Sequence, residues 1–199
     1  MQNKQKLFAI TGGIGSGKST ATLALKEAGY NTISCDYIVH ELYKKQSILR
    51  AIKKVFPAAV SGKFCLKVDK AEIARLVFCD SEKYRALTEI ITKPTMEIAL
   101  KQAKKLKGPV FIEVPLLYEF GYEDRFDGVL VITRALPDRL NCVIARPNMT
   151  KEQFELRKSL QIDYDNFSFD RKIKNSTVII NDGTVEDLKQ KVLAFAKGL

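Results

Sequence analysis

The sequence predicts an α/β fold in which a parallel five-stranded sheet carries helices on both faces. Two observations support this prediction. Short apolar runs typical of buried strands alternate with longer segments of helical composition, and such alternation favours parallel strands connected by helices. The 199 residues, of which 46% are hydrophobic and 28% charged, also suffice to bury a core.

Five apolar runs predict the strands of this sheet. They cover residues 6–11, 31–35, 110–114, 128–133 and 177–180. Asp36 stands at the carboxyl end of the second predicted strand, and Glu113 ends the third. Ligands of open parallel sheets bind beyond the carboxyl ends of the strands. Both acids are therefore expected to face the ligand crevice.

Between the strands, composition and capping patterns predict helices. Asp69 with Glu72, and Thr184 with Asp187, have the spacing of capping boxes. Pro94 is expected to interrupt a long helical stretch. Residues 57–67 are expected to be irregular. The predicted helical segments are 18–28, 37–56, a segment after Asp69, 82–107, 137–145 and 184–197.

The same patterns suggest a single chain unit with two insertions on a nucleotide-binding core. The core comprises about 1–36, 108–145 and 177–199, whereas about 37–107 form a helical region and about 146–176 a polar, arginine-bearing segment. The polar segment is expected to act as a lid.

Composition limits the possible classes of protein. There are 33 Lys and Arg residues against 23 Asp and Glu residues, a net charge of +10, so polyanions such as nucleic acid, acidic lipid or phosphorylated metabolites are suitable partners. The apolar runs are too short for a membrane span, and the N-terminus is not expected to be a signal peptide. The four scattered cysteines form no CxxC pair. A reducing, cytoplasmic setting is expected.

The segment Gly12–Ser19 reads GGIGSGKS and fits the phosphate-binding pattern GxxxxGK[ST]. Glycines allow backbone N–H groups to approach phosphate oxygens, and the helix that follows adds the positive end of its dipole. Lys18 can reach the outer phosphates, and the Ser19 hydroxyl can bind magnesium. The residues expected to bind the nucleoside triphosphate are Gly13, Ile14, Gly15, Ser16, Gly17, Lys18, Ser19 and Thr20.

This motif predicts a P-loop NTPase-type core, and two features favour a kinase for a small metabolite. No guanine-reading Asn-Lys-x-Asp segment is present. The chain is also smaller than most motors or helicases. A kinase must exclude water from the triphosphate, which requires a closing lid. A P-loop protein that binds nucleic acid or acts in regulation is a further alternative, motivated by the positive charge.

Asp36, Glu113 and two arginines are the other candidate functional residues. Asp36 is suited to position an acceptor hydroxyl and take its proton, and equally to cap the helix after it. Glu113 resembles the acid of a Walker B element that holds magnesium through water; its alternative role is to brace the turn at Pro115. Arg146 and Arg157 are suited to clamp phosphate or to lie on the surface.

The sequence resembles the dephospho-CoA kinase family over about residues 7–192. The matching segments have that family's order and spacing, and the segment around Pro115 and the lid segment are the specific ones. The matching segments are Ile10–Thr20, Asp36 with Ile38, Arg75–Phe78 with Asp80, Glu113–Leu117 with Glu119 and Gly121, Arg157–Gln161, and Val178–Asn181 with Gly183.

The resemblance implies ATP-dependent phosphorylation of the ribose 3′-hydroxyl of dephospho-CoA, giving coenzyme A and ADP, with ATP and Mg²⁺ required. This reaction is the last step of coenzyme A biosynthesis. It implies Asp36 as the base, with Lys18 and Arg146 stabilising the transferring phosphoryl group. It also implies that the helical region of about 37–107 holds the coenzyme A moiety. Arg157 is implied in the lid, and Leu116, Leu117 and Glu119 in substrate contacts. The alternative is another P-loop kinase for a small hydroxylated or nucleotide acceptor.

Partners are expected to be limited to ATP and dephospho-CoA, without nucleic acid or membrane. The protein is expected to be a monomer or small homo-oligomer.

Several positions depart from the family pattern. Ser34 replaces an Asp, Lys93 a usual His, and Cys142 a common Arg, with Arg139 one turn earlier as a possible replacement. Asn175–Ser176 replaces Ala-Asp. These departures are interpreted as drift, with reduced activity or altered specificity as the alternative.

Overall fold

The chain divides into two compact units. The structure, a computed structural model, describes residues 5–78, 80–147, 149–164 and 175–199. One unit comprises Met1–Ser34 and Gln102–Leu199, and the other comprises Cys35–Lys101. Each is described by itself below.

The first unit contains a five-stranded sheet in the order β2-β5-β1-β6-β7. Every pairing between neighbouring strands of this sheet is parallel, so the predicted parallel five-stranded sheet is confirmed. In sheet register, Ile10 and Ser34 both lie beside Glu113. The described strands are β1 (Leu7–Thr11), β2 (Asn31–Ser34), β3 (Val60–Ser61), β4 (Lys67–Val68), β5 (Val110–Glu113), β6 (Gly128–Thr133) and β7 (Ser176–Ile180).

Helices connect these strands, as the alternating pattern predicted. The described helices are α1 (Lys18–Glu27), α2 (Cys35–Leu42), α3 (Gln46–Val55), α4 (Lys70–Phe78), α5 (Ser81–Ala103), α6 (Leu136–Ile144), α7 (Lys151–Ser159) and α8 (Val185–Lys197). Short 3₁₀ helices cover Pro57–Ala59 and Glu123–Arg125. The capping box predicted at Thr184 and Asp187 is present at the start of α8.

The central strands are buried along their length. All four residues of β5 and the first five of β6 are buried. Because successive side chains point to opposite faces of a strand, this continuous burial means that both faces of the sheet are covered. On one face, Phe8, Phe111 and Leu130 join a core with the apolar residues of α1 and α8, represented by Leu25 and Leu188.

In the second unit, β3 and β4 form an antiparallel pair within the segment expected to be irregular. Each strand has only two residues, too few to give an alternating signal in the sequence. Gln46 on α3 fixes this hairpin: its Oε1 accepts a hydrogen bond from the Leu66 N–H at 2.7 Å, and its Nε2 donates to the Leu66 carbonyl at 3.1 Å.

Only half of the predicted capping box at Asp69 forms. Asp69 Oδ1 accepts hydrogen bonds from the N–H groups of Ala71 and Glu72, at 2.9 and 3.0 Å. The Asp69 N–H donates to the Ala59 carbonyl, and the Glu72 carboxylate accepts from Arg75 instead. The second bond of the capping box, from the Asp69 N–H to the Glu72 carboxylate, is therefore absent because each of these groups has another partner.

The prediction that Pro94 interrupts a helix is wrong, because α5 continues through it from Ser81 to Ala103. Proline removes one backbone hydrogen bond of the helix and crowds the preceding turn. Leu87 and Ile91 before it, and Met96 and Ala99 after it, are buried. Burial of these side chains on both sides of Pro94 outweighs the local loss.

The second strand ends earlier than predicted. Residue 35 begins α2, and Asp36 lies exposed in the first turn of that helix, not in the strand end or at the cap. Among the described residues, no helix is both long and apolar enough to cross a bilayer.

Candidate active site

The GGIGSGKS loop, Gly12–Ser19, joins the end of β1 to the start of α1. Gly15 has φ 80° and Gly17, the N-cap of α1, has φ 109°. L-residues with a side chain rarely adopt such angles, so the conformation requires glycine at both positions. The loop thereby leads directly into the N-terminal turn of α1, whose free N–H groups favour a bound anion.

Lys18 lies folded against this loop. Its Nζ donates hydrogen bonds to the carbonyl oxygens of Gly12 at 2.7 Å and Gly13 at 3.0 Å. The ammonium group is therefore held at the mouth of the loop, on a flexible side chain that can exchange carbonyl acceptors for phosphate oxygens.

Ser19 and Glu113 meet beside the loop. The Ser19 Oγ donates a hydrogen bond to Glu113 Oε1 at 2.8 Å, and Glu113 is only 3% exposed. A hydroxyl and a carboxylate at this spacing fit Mg²⁺, which keeps several waters and takes few protein ligands alongside nucleotide phosphates. The pair predicted to hold magnesium is thus in direct contact.

The segment after α7 contacts both the loop and the turn that follows β5. Gln161 Oε1 accepts a hydrogen bond from the Ile14 N–H at 2.7 Å, and its Nε2 donates to the Pro115 carbonyl at 3.4 Å. Tyr164 lies with its OH 3.2 Å from Thr11 Oγ1. Burial raises the pKa of Tyr164, so its phenol stays protonated and either hydroxyl can donate in this pair.

Glu119 binds the same segment. Its Oε1 accepts a hydrogen bond from the Ile162 N–H at 2.9 Å, while its Oε2 is buried and has no hydrogen-bond partner among the described residues. Burial raises the pKa of Glu119, and the Ile162 N–H and the charge of Lys18 partly oppose that shift.

Arg139 on α6 packs against the loop. It is 3% exposed, and a Cβ built on Gly13 would lie 2.2 Å from Arg139 Nη1. A cavity of about 250 Å³ adjoins it, lined by Arg139, Gln161, Tyr164 and further residues of α7 and the segment after it. Arg139 therefore packs against the loop and also lines this cavity.

Asn181, directly after β7, supports the loop from the opposite end. Its Nδ2 donates a hydrogen bond to the Ser16 carbonyl at 2.8 Å, and the side chain is buried. Its backbone N–H donates to the Thr133 carbonyl at 2.8 Å. The loop is thus tied to the carboxyl ends of β6 and β7.

The remaining residues predicted for the site differ in burial and in their position in the fold. Leu117 is fully buried and Leu116 half-buried in the turn after β5. Arg157 is half-buried on α7, whereas Arg146 is exposed just beyond α6. Asp36 belongs to the second unit. Residues 148 and 165–174 of the expected lid segment lie outside the described residues.

Sequence reasoning assigned no loop contact to Arg139, Gln161, Tyr164 or Asn181. The contact of Asn181 could have been predicted from the sequence. Asn181 directly follows an apolar strand, and that position lies at the edge of a parallel sheet where ligands bind. For the other three, no local pattern marks the contact. A P-loop between the first strand and a helix, with a strand-end acid in contact with its serine, defines a P-loop protein that binds a nucleoside triphosphate.

Comparison with known proteins identifies the family. The family model described as "CoaE: Dephospho-CoA kinase" matches residues 6–187. The chain therefore belongs to the dephospho-CoA kinase family, a family of ATP-dependent kinases. This assignment confirms the resemblance to the dephospho-CoA kinase family found in the sequence.

Individual relatives agree over nearly their whole length. A dephospho-CoA kinase of Thermus thermophilus is 31% identical over 189 residues, covering 94% of this chain and 89% of the relative. That of Bartonella quintana is 32% identical over 202 residues and covers 98% of both chains. A crystal structure of a Thermus thermophilus protein superposes with a TM-score of 0.76 at 31% identity, covering 98% of both chains.

Proposed function

We propose that this dephospho-CoA kinase binds the triphosphate of ATP in the Gly12–Ser19 loop and transfers its terminal phosphoryl group to the ribose 3′-hydroxyl of dephospho-CoA, with magnesium held at Ser19 and Glu113. The contact between Ser19 Oγ and Glu113 Oε1 at 2.8 Å carries the proposal. It joins the hydroxyl of the phosphate loop to a buried acid at the end of β5. Glu113 is proposed to act through a water ligand.

Within this proposal, the protein supplies positioning and charge. The loop N–H groups and the α1 N-terminus bind phosphate oxygens, and the Lys18 ammonium leaves the Gly12 and Gly13 carbonyls for the outer phosphates. Magnesium, when bound, neutralises charge on the β- and γ-phosphates. Arg146 adds a second positive charge during transfer.

Asp36 is proposed to orient the 3′-hydroxyl and accept its proton. Two features support this role: it lies two residues after the end of β2, and its carboxylate is exposed in the first turn of α2. Binding of dephospho-CoA is proposed to involve Leu116, Leu117 and Glu119 and the helical unit of residues 35–101. Arg157 on α7 is proposed to belong to the lid.

A cytoplasmic location is proposed as well. Among the described cysteines, Cys35, Cys65 and Cys142 are free thiols, as is usual in a reducing compartment. The enzyme is proposed to act as a monomer or small homo-oligomer on small molecules.

A coupled assay of ADP release tests the proposed reaction. ATP and Mg²⁺ are supplied with dephospho-CoA, and with adenosine or shikimate as control acceptors. We expect turnover with dephospho-CoA and none with either control acceptor. Chelation of Mg²⁺ is expected to abolish the turnover. Turnover on a control acceptor without turnover on dephospho-CoA would contradict the proposal.

A further inference from the structure

The Gln161 side chain links two segments that carry different parts of the active site. Its carbonyl oxygen accepts the Ile14 N–H at 2.7 Å, inside the phosphate loop. Its amide nitrogen donates to the Pro115 carbonyl at 3.4 Å, two residues after Glu113. One neutral side chain therefore bridges the loop that carries Lys18 and Ser19 to the strand end that carries Glu113.

Neighbouring contacts fix Gln161 in this position. Its backbone N–H donates to the Lys158 carbonyl at 3.1 Å, at the end of α7. The next residue, Ile162, is held by Glu119 at 2.9 Å, and Tyr164 reaches Thr11 at 3.2 Å. The 161–164 segment is thus attached to β1, to the phosphate loop and to the turn after β5. Because several anchors surround it, the Gln161 side chain has little freedom to leave the bridge.

We infer that Gln161 is a positioning residue for nucleotide binding. By holding the Ile14 N–H and the Pro115 carbonyl together, it fixes the phosphate loop at the separation from β5 at which Ser19 Oγ meets Glu113 Oε1. It thereby prepares the loop for a magnesium-bound nucleoside triphosphate before the nucleotide arrives. This inference rests on the proposed use of the Gly12–Ser19 loop as the triphosphate site.

The side-chain chemistry at this position matters in two ways. An apolar side chain leaves the Ile14 N–H and the Pro115 carbonyl without this partner, and lost hydrogen bonds to partly buried groups weaken the arrangement. A carboxylate keeps an acceptor for the Ile14 N–H but places a negative charge beside the bound phosphates. Repulsion then grows with the charge of the nucleotide.

The test compares Gln161→Met and Gln161→Glu with Gln153→Met. Gln153 lies on α7, before the segment that carries Gln161, and its side chain accepts a hydrogen bond from the Thr150 N–H within the capping box. Affinities of the full-length variants for ATP and ADP are measured by calorimetric titration in the presence of Mg²⁺, and the KM for ATP and kcat by ADP release. Gln161→Glu retains the shape of glutamine, so it remains informative if Gln161→Met folds poorly.

We expect Gln161→Met to weaken ATP binding roughly three- to tenfold, on the scale of the net contribution of a hydrogen bond, and to raise the KM for ATP more than it lowers kcat. Gln161→Glu should weaken ATP binding further, and ATP binding more than ADP binding. Gln153→Met should change thermal stability alone.

Two results would overturn the inference. One is ATP affinity in both Gln161 variants equal to that of Gln153→Met. The other is a fall in kcat with an unchanged KM for ATP in Gln161→Met, which assigns the side chain to the chemical step and not to nucleotide binding. Failure of the proposed reaction can be distinguished from failure of this inference. In that case the wild-type protein binds nucleotide but does not phosphorylate dephospho-CoA.

Discussion

The Lys18 ammonium donates to carbonyl oxygens of its own loop, and this contact shapes the first prediction. Lys18→Ala removes the charge that is proposed to stabilise the transferring phosphoryl group. We expect kcat to fall by about 10²–10³-fold, the scale observed when one preorganised stabilising donor is lost. ADP release measures the rate, and circular dichroism should show an unchanged fold.

Lys26→Ala is the matched control for Lys18→Ala. Lys26 lies exposed in the last turn of the same helix. Equal rate losses in the two variants would contradict a specific role for Lys18.

Asp36 is proposed to act on the acceptor hydroxyl and not on ATP, so its replacement should separate two kinetic effects. Asp36→Asn keeps the size of the side chain but removes the proton acceptor. We expect kcat to fall far more than ATP affinity, because proton transfer to a positioned base contributes typically about 10²–10⁴-fold. Comparable losses in kcat and in ATP affinity, measured by ADP release and calorimetry, would indicate a structural role instead.

The buried carboxyl of Glu119 should make stability depend on pH. Its pKa is raised above the ordinary value of 4.5, chiefly by burial, so the folded protein holds this proton more tightly than the unfolded chain. The stability contributed by the protonated group is complete below about pH 4.5 and is lost as the pH rises through the folded-state pKa.

Urea unfolding of wild type and Glu119→Gln from about pH 4 to about pH 8 measures this effect. Glutamine keeps an acceptor for the Ile162 N–H and does not titrate. Relative to the variant, wild type should lose free energy of unfolding as the pH rises and then level off. Glu89→Gln, at an exposed position on α5, is the control. A difference that stays constant with pH would refute the prediction.

Some site residues were predictable because their chemistry is encoded locally. Gly15, Gly17, Lys18 and Ser19 lie in one short motif, and Glu113 directly ends an apolar strand. The contacts of Arg139, Gln161 and Tyr164 with the loop were not predictable. They join residues more than a hundred positions apart and depend on how α6 and α7 pack, which no local spacing reports.

At the scale of elements, the capping box of α8 has a measurable consequence. Thr184 Oγ1 accepts the Asp187 N–H at 3.2 Å, and Asp187 Oδ2 accepts the Thr184 N–H at 2.7 Å. Thr184→Ala should lower the free energy of unfolding by about 0.5–2 kcal/mol, because α8 forms part of the central core.

Chemical denaturation of Thr184→Ala and Thr184→Ser measures this cap. Serine retains the accepting oxygen and should stay close to wild type. A serine variant as unstable as the alanine variant would show that the threonine methyl group matters and not the cap.

Helices and strands were predicted well where buried apolar residues determine the structure. They were predicted less well where contacts with other elements determine it. The five parallel strands were predicted from apolar runs, and the central strands β5 and β6 are buried on both faces. The β3–β4 hairpin depends on Gln46 of another element, and α5 passes Pro94 because its flanking turns are buried. Neither feature is visible in the residues of the segment itself.

At the scale of the whole molecule, the net charge of +10 indicates anionic ligands but does not identify their class. It suits anionic nucleotide substrates, and we predict no tight binding of nucleic acid at physiological salt. Filter binding with RNA and duplex DNA, over a range of salt concentrations, measures this property. Tight binding with a steep salt dependence would contradict the prediction and add a second class of ligand.

Gly13 is constrained by a neighbouring side chain and not by its own backbone. A Cβ there would lie 2.2 Å from the guanidinium of Arg139, whose own chain is buried. The two positions should therefore covary in natural relatives of this enzyme. Sequences with a bulkier residue at position 13 should carry a shorter one at position 139, and an alignment of many relatives would reveal the exchange.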